Sequence, residues 1–192
     1  NGNARSGSVL VQTGVSQDKS GDVLVRSGTS QSQSGDVSIA VGNSVDEAGS
    51  VQVTSGAGSV GGDATLAGGV GHSGAGGHVR VHSGSTTHAI SSSGNVIVES
   101  AESAGHSGSV NVVSGASTSS SGDVLIATGS SSADQAGDIT MRIGSSAKSG
   151  GDINLQSGDS AQRGGSLFAS AGSGSVGGQL VLESGSAIEA AG

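Results

Sequence analysis

The chain has 192 residues, 38 of them glycine, with no proline, cysteine, tryptophan or tyrosine and a single phenylalanine, Phe168. Lacking cysteine, it can have neither disulfides nor thiolate metal sites, and with so few bulky apolar side chains a thick globular core is out of reach. Its net charge is −8, and its 7 basic residues stand singly, which excludes the clustered basic face of a nucleic-acid binder.

Such a composition alone points to low-complexity disorder, and only pattern can overturn that reading. A marker glycine recurs at Gly7, Gly21, Gly35, Gly49, Gly62, Gly77, Gly94, Gly108, Gly122, Gly137, Gly151, Gly165 and Gly178. The basic interval is 14 residues, with excursions from 13 to 17. A second glycine follows each marker by seven residues, from Gly14 to Gly185, except where Ala101 stands. A fourteenth marker would fall on Gly192.

The positions between the two glycines are numbered here from the marker. Positions 2 and 4 read Val9/Val11, Val23/Val25, Val37/Ile39, Val51/Val53, Ala64/Leu66, Val79/Val81, Val96/Val98, Val110/Val112, Val124/Ile126, Ile139/Met141, Ile153/Leu155, Leu167/Ala169 and Leu180/Leu182. Of these 26 positions, 24 are Val, Ile, Leu or Met. Apolar alternation rich in β-branched residues and bracketed by Gly and Ser predicts a short strand with one covered face. The glycine density and the period of two exclude helix. The rest of each repeat, such as residues 29–34, is small, polar and variable, and every change of length falls there. These stretches read as surface arcs, with glycine at the corners for positive φ or close backbone approach.

Equal units in constant register predict an all-β fold, a parallel β-solenoid forming one repeat array over residues 1–192. Thirteen rungs at strand spacing would span roughly 60 Å. A coil of 14 residues, facing the valine pairs to Ser16, Ser30, Ser44, Ser103 and Ser117, and a coil of 28 residues, facing valine pairs to each other, both fit. An antiparallel meander is a third arrangement. The aliphatic side chains alone fall short of offsetting the entropy of ordering so many residues, so packing against neighbouring copies is expected. Both ends read as ordinary uncapped repeats, and the chain opens at Asn1 rather than Met. Either a longer parent continues past them or copies abut end to end.

Asp follows the marker at Asp22, Asp36, Asp63, Asp123, Asp138 and Asp152. Stacking would set Asp123, Asp138 and Asp152 in a column that calcium could bridge. The simpler alternative is a solvated corner residue, and Ser8, His78, Asn95 and Gln179 at the same position favour it. His72, His78, His82, His88 and His106 gather mid-chain. His78 and His82 share a strand face but lie about 13 Å apart at strand rise, too far to share a metal. GxGxxG occurs at Gly56–Gly61, Gly69–Gly74 and Gly172–Gly177, but each leads into another apolar pair rather than a helix, so no dinucleotide site is expected. No convergent pocket or catalytic set stands out, and no enzyme is expected. No stretch is long and apolar enough for a membrane span, and no signal-peptide pattern opens the chain.

In manner, the SGDVxVxSGxS repeat resembles Gly/Ser-rich tracts in extracellular proteins of algae and related protists. The implied location is extracellular or at the cell surface. The expected architecture is similar to the short-coil ice-binding β-solenoids, including the grass proteins built from seven-residue half-coils. Their flat regular face is not matched by the outward column from Leu10 and Leu24 to Phe168 and Val181. The calcium-binding nonapeptide solenoids are also similar, though their GGxGxDxUx motif is absent. The expected role is a structural module of a fibre, wall or appendage, associating with its own copies side by side or end to end. Ice binding and a calcium-stabilised adhesin stalk are the alternatives. Ice and glycans are possible partners, and the serine-rich arcs suit O-linked sugar.

Overall fold

A computed structural model describes residues 6–186, and among them the chain forms neither helix nor strand. The exclusion of helix therefore stands, but the parallel β-solenoid, in its 14- or 28-residue form, does not. A strand requires a ladder, and no ladder pairs one segment with another. Two physical reasons stand out. Two glycines in nearly every repeat raise the entropy lost on fixing the chain. The small aliphatic side chains also recover too little on burial to offset the order that a ladder imposes.

Regularity survives in another form. Every described bend or turn falls between a second glycine and the next marker, as at residues 17–18, 31–32, 58–60, 104–105 and 161–162. None falls inside a seven-residue segment. The chain is therefore a series of unbent segments of constant length joined by curled arcs of variable length. Several arcs are closed at the base. The marker N–H donates to the preceding second glycine's carbonyl in Gly62→Gly56 (3.0 Å), Gly77→Gly69 (2.8 Å), Gly94→Gly84 (3.0 Å), Gly165→Gly158 (2.9 Å) and Gly178→Gly172 (2.9 Å). Compact loops with adjacent ends are Ω-like. The flanking segments diverge beyond the base, since only a small minority of close approaches join residues twelve or more apart.

The arc bases account for the glycine at some of the markers and leave others, Gly7, Gly35 and Gly122, with open space around them. No described glycine has positive φ, so that half of the expectation is corrected. Close approach remains. A β-carbon at Gly49 would stand 3.0 Å from Val41 Cγ1, and one at Gly151 would stand 3.3 Å from Ile143 Cγ2. In both arcs the opposing residue is position 6 of the segment before. At Gly77 the opposing position is itself glycine, Gly68, where any side chain would run into the Gly77 carbonyl.

No described residue is buried, and the valine pairs expected beneath a sheet are exposed. The chain presents 19879 Å² to solvent. A compact chain of its 17.9 kDa mass would present roughly 8,000 Å², and an extended one roughly 26,000 Å².

By its contacts the chain divides into two units, Asn1–Val98 and Glu99–Gly192. Each has the same internal order. In the first, the arcs before residue 56 lack the closing bond and those from Gly56 to Gly94 have it. In the second, the arcs before residue 158 lack it and those from Gly158 to Gly178 have it. The expectation of uncapped chain ends falls partly on residues 1–5 and 187–192, outside the described residues.

Candidate functional site

The feature with most functional content is the recurring segment itself. Each segment alternates, and its two sets of positions differ in chemistry. Positions 2, 4 and 6 of the thirteen segments carry no charged residue at any of 39 places. Positions 1, 3 and 5, equally numerous, carry 11: the six aspartates after the marker, Arg26, Arg80, Glu99, Arg142 and Glu183. The even positions are thus free of formal charge and mostly small or aliphatic, and the odd positions mixed and charged.

Exposure within a segment is graded. The described residues that are only half-exposed are Thr13, Ser27, Ser55, Ser83 and Ser157, all at position 6. Val41 and Ile143, also at position 6, follow at 44% and 46%. Position 2 is next, at 49–57% in ten segments, while position 4 reaches 88% at Leu182. Cover therefore comes from the arc bases, and the middle of each segment has none. Position 6 was not singled out in the sequence. Its signal is there nonetheless: it is always small or β-branched, and it precedes the second glycine in every segment but the one where Ala101 stands.

The arcs fall into two kinds, set by the residue nine after the marker. In nine arcs this is Ser or Thr, whose hydroxyl oxygen accepts a backbone N–H from its own arc. Eight are bonds from residue i+2, among them Asp18 N–H to Ser16 Oγ (3.3 Å) and Ser119 N–H to Ser117 Oγ (3.1 Å). In the ninth, Asp134 N–H reaches back to Ser131 Oγ (3.1 Å). Such turns need only a hydroxyl beside a free amide. Ser16, Ser30, Ser44, Ser103 and Ser117, which the 14-residue winding would have faced to valine pairs, instead curl their own arcs.

The other three arcs carry Gly58, Gly71 and Gly174, where a side chain would press on backbone carbonyls, those of Val60 and Val176 at 3.0 and 3.2 Å. These are the three GxGxxG stretches. Their glycines hold a tight arc whose base is closed by a backbone bond, and no helix follows.

Asp123, Asp138 and Asp152 lie exposed in successive segments, and no group of three or more metal-ligating side chains forms among the described residues. The sheet that would have stacked them is absent. The histidines are likewise exposed; His82 Nδ1 lies 3.2 Å from the Ser83 carbonyl and His88 Nδ1 3.0 Å from Ser91 Oγ. The latter pair sits inside the longest arc, which also holds bonds from His88 N–H to Thr86 Oγ1 and from Ser91 N–H to the His88 carbonyl. An open hollow of about 400 Å³ lies against the consecutive residues Arg142, Ile143, Gly144 and Ser145. One curl of chain makes it, without the convergence of groups that a small-molecule site requires. No helix among the described residues is long and apolar enough to cross a membrane.

Compared with protein-family models, curated proteins and solved structures, the chain has no match.

Proposed function

We propose that the chain is a non-enzymatic structural module of an extracellular fibre, wall or appendage, working by association with its own copies. The observation that carries this reading is the exposure of every aliphatic pair along a series of equal segments. So many exposed aliphatic side chains recurring at a fixed interval offer many equivalent points of contact to a partner. The unpaired backbone of the segments adds edges open to further hydrogen bonding. Repetition suits a material role, because many equal weak contacts sum along the chain.

Ice binding has less support. It needs a rigid flat column of free hydroxyls, and the hydroxyls of the regular serine column are engaged with their own arcs. Sedimentation velocity and electron microscopy over a concentration series test the proposal. Concentration-dependent assemblies are expected; monomers persisting at millimolar concentration would overturn it.

A further inference from the structure

We infer that residues 64–98 are a cationic docking stretch, switched on by mild acid, whose partner is the acidic remainder of a second copy of this chain. The inference rests on the self-association reading and adds a site, a partner and a condition to it.

Charge is sorted along the sequence. All 15 carboxylate side chains lie outside residues 64–98, and no other run free of acid is as long. Inside it stand Arg80 and four of the five histidines, His72, His78, His82 and His88. The net −8 at pH 7 therefore divides into +1 here, from Arg80, and −9 in the rest of the chain. Four imidazoliums would raise the stretch to +5, while His106 would bring the rest only to −8. Histidine is the side chain whose charge changes between about pH 5 and 8, and carboxylates ionise well below that range. Mild acid thus sets one strongly positive block between two negative ones.

The fold leaves this block open. It lies within a single unit, Asn1–Val98, and apart from half-exposed Ser83 each of its residues is exposed. Two closed arcs gather it, through the Gly77 N–H to the Gly69 carbonyl (2.8 Å) and the Gly94 N–H to the Gly84 carbonyl (3.0 Å). His72 sits in the first arc and His88 in the second, with His78, Arg80 and His82 on the unbent segment between them. Among the described residues no three metal-ligating side chains come together, so the block does not converge on one ion. A string of separate cations instead suits a partner whose anions are also strung out. The remainder of a second copy has that form, with Asp22, Asp36, Asp123, Asp138 and Asp152 exposed at intervals set by the repeat. Close approaches between residues twelve or more apart are few, which leaves the block free for a second molecule.

Light scattering of the full chain at about pH 7.5 and about pH 5.5, each at about 0.01 M and 0.15 M salt, tests this. Acidification at low salt is expected to lower the concentration for half-assembly more than about tenfold. Salt should act with opposite sign at the two pH values. It favours assembly near pH 7.5 by screening like charge, and opposes it near pH 5.5 by screening the block from its partner. Loss of net charge alone would leave two copies alike in sign, so salt would favour assembly at both. That result would overturn the inference and leave self-association intact. A chain that assembles at neither pH would overturn both. Acid-induced compaction independent of concentration, read by sedimentation velocity, would place the partner within the same chain and overturn the assignment to a second copy.

Two matched sets of substitutions locate the site. Thr65→Asp, Ser73→Asp, Thr87→Asp and Ser92→Asp place carboxylates in the block, and Thr29→Asp, Ser34→Asp, Ser120→Asp and Ser132→Asp place as many outside it. Both sets lower the net charge equally. Near pH 5.5 the first is expected to raise the concentration for half-assembly more than about tenfold, and the second less than about threefold. Equal shifts would overturn the assignment of residues 64–98.

Discussion

The seven-residue segments and the arcs between them are made under opposite constraints. Segments are constant in length and apolar in alternation, and they take no part in the backbone and hydroxyl bonds that shape the arcs. Arcs vary in length and composition, yet each has a defined local bond or close contact: a hydroxyl turn, a closed glycine base, or both. Order in the isolated chain is thus local and polar, while the apolar pattern is left unsatisfied. The contrast teaches that periodic hydrophobicity and regular structure are separable. A face can be patterned for burial without being buried within its own chain.

Three experiments would break or sharpen this contrast. The largest effect is expected at Gly71. A methyl there runs into the carbonyls of Gly74 and Ala75, so Gly71→Ala should force the arc open. Amide exchange at Gly77 should then rise toward that of an unbonded marker such as Gly35, by up to about tenfold. An unchanged Gly77 amide would mean that the arc closes without its glycine.

Ionic strength comes next. Copies carry the same net charge of −8 at pH 7, so salt screens the repulsion between them. Going from about 0.01 M to 0.15 M salt should lower the concentration for half-assembly about threefold. Weaker assembly with salt, followed by light scattering, would instead point to ion pairs in the join. The smallest effect belongs to Ser30→Ala, which removes one exposed acceptor for the Ser32 N–H. Amide exchange at Ser32 should rise less than about twofold, and assembly should not change. A large loss of assembly would place that arc in the contact.

Much of this organisation could be read from the chain alone. The marker glycines, the constant segment and the division into segment and arc are visible in Gly21–Gly28 or Gly151–Gly158 without coordinates. The exclusion of helix follows from the same residues. The solenoid did not follow, because alternation at Val23 and Val25 specifies a face and says nothing of a partner strand. A ladder needs two strands, and a single chain of small aliphatics and glycine gains too little by forming one. The inward serine column of the 14-residue winding is absent for a related reason. Ser30 and Ser117 form a column in sequence, and columns invite stacking, but a serine two residues before an exposed amide already has a bond within reach. Asp123, Asp138 and Asp152 were candidates only through the stacking, and the structure does not bring them together. The glycine corners were anticipated for close approach, which Gly49 and Gly151 show; positive φ was not needed.

Amide hydrogen exchange on the full chain at high dilution tests the central claim most directly. If the segments are unpaired in the isolated molecule, the amides of Val23, Val25, Val110 and Val112 will exchange at near-coil rates. Slow exchange would then be confined to the closed arc bases at Gly62, Gly77, Gly94, Gly165 and Gly178. Strong protection along the valine pairs of the dilute chain would contradict the account, because it would mean that the segments already hold partners of their own.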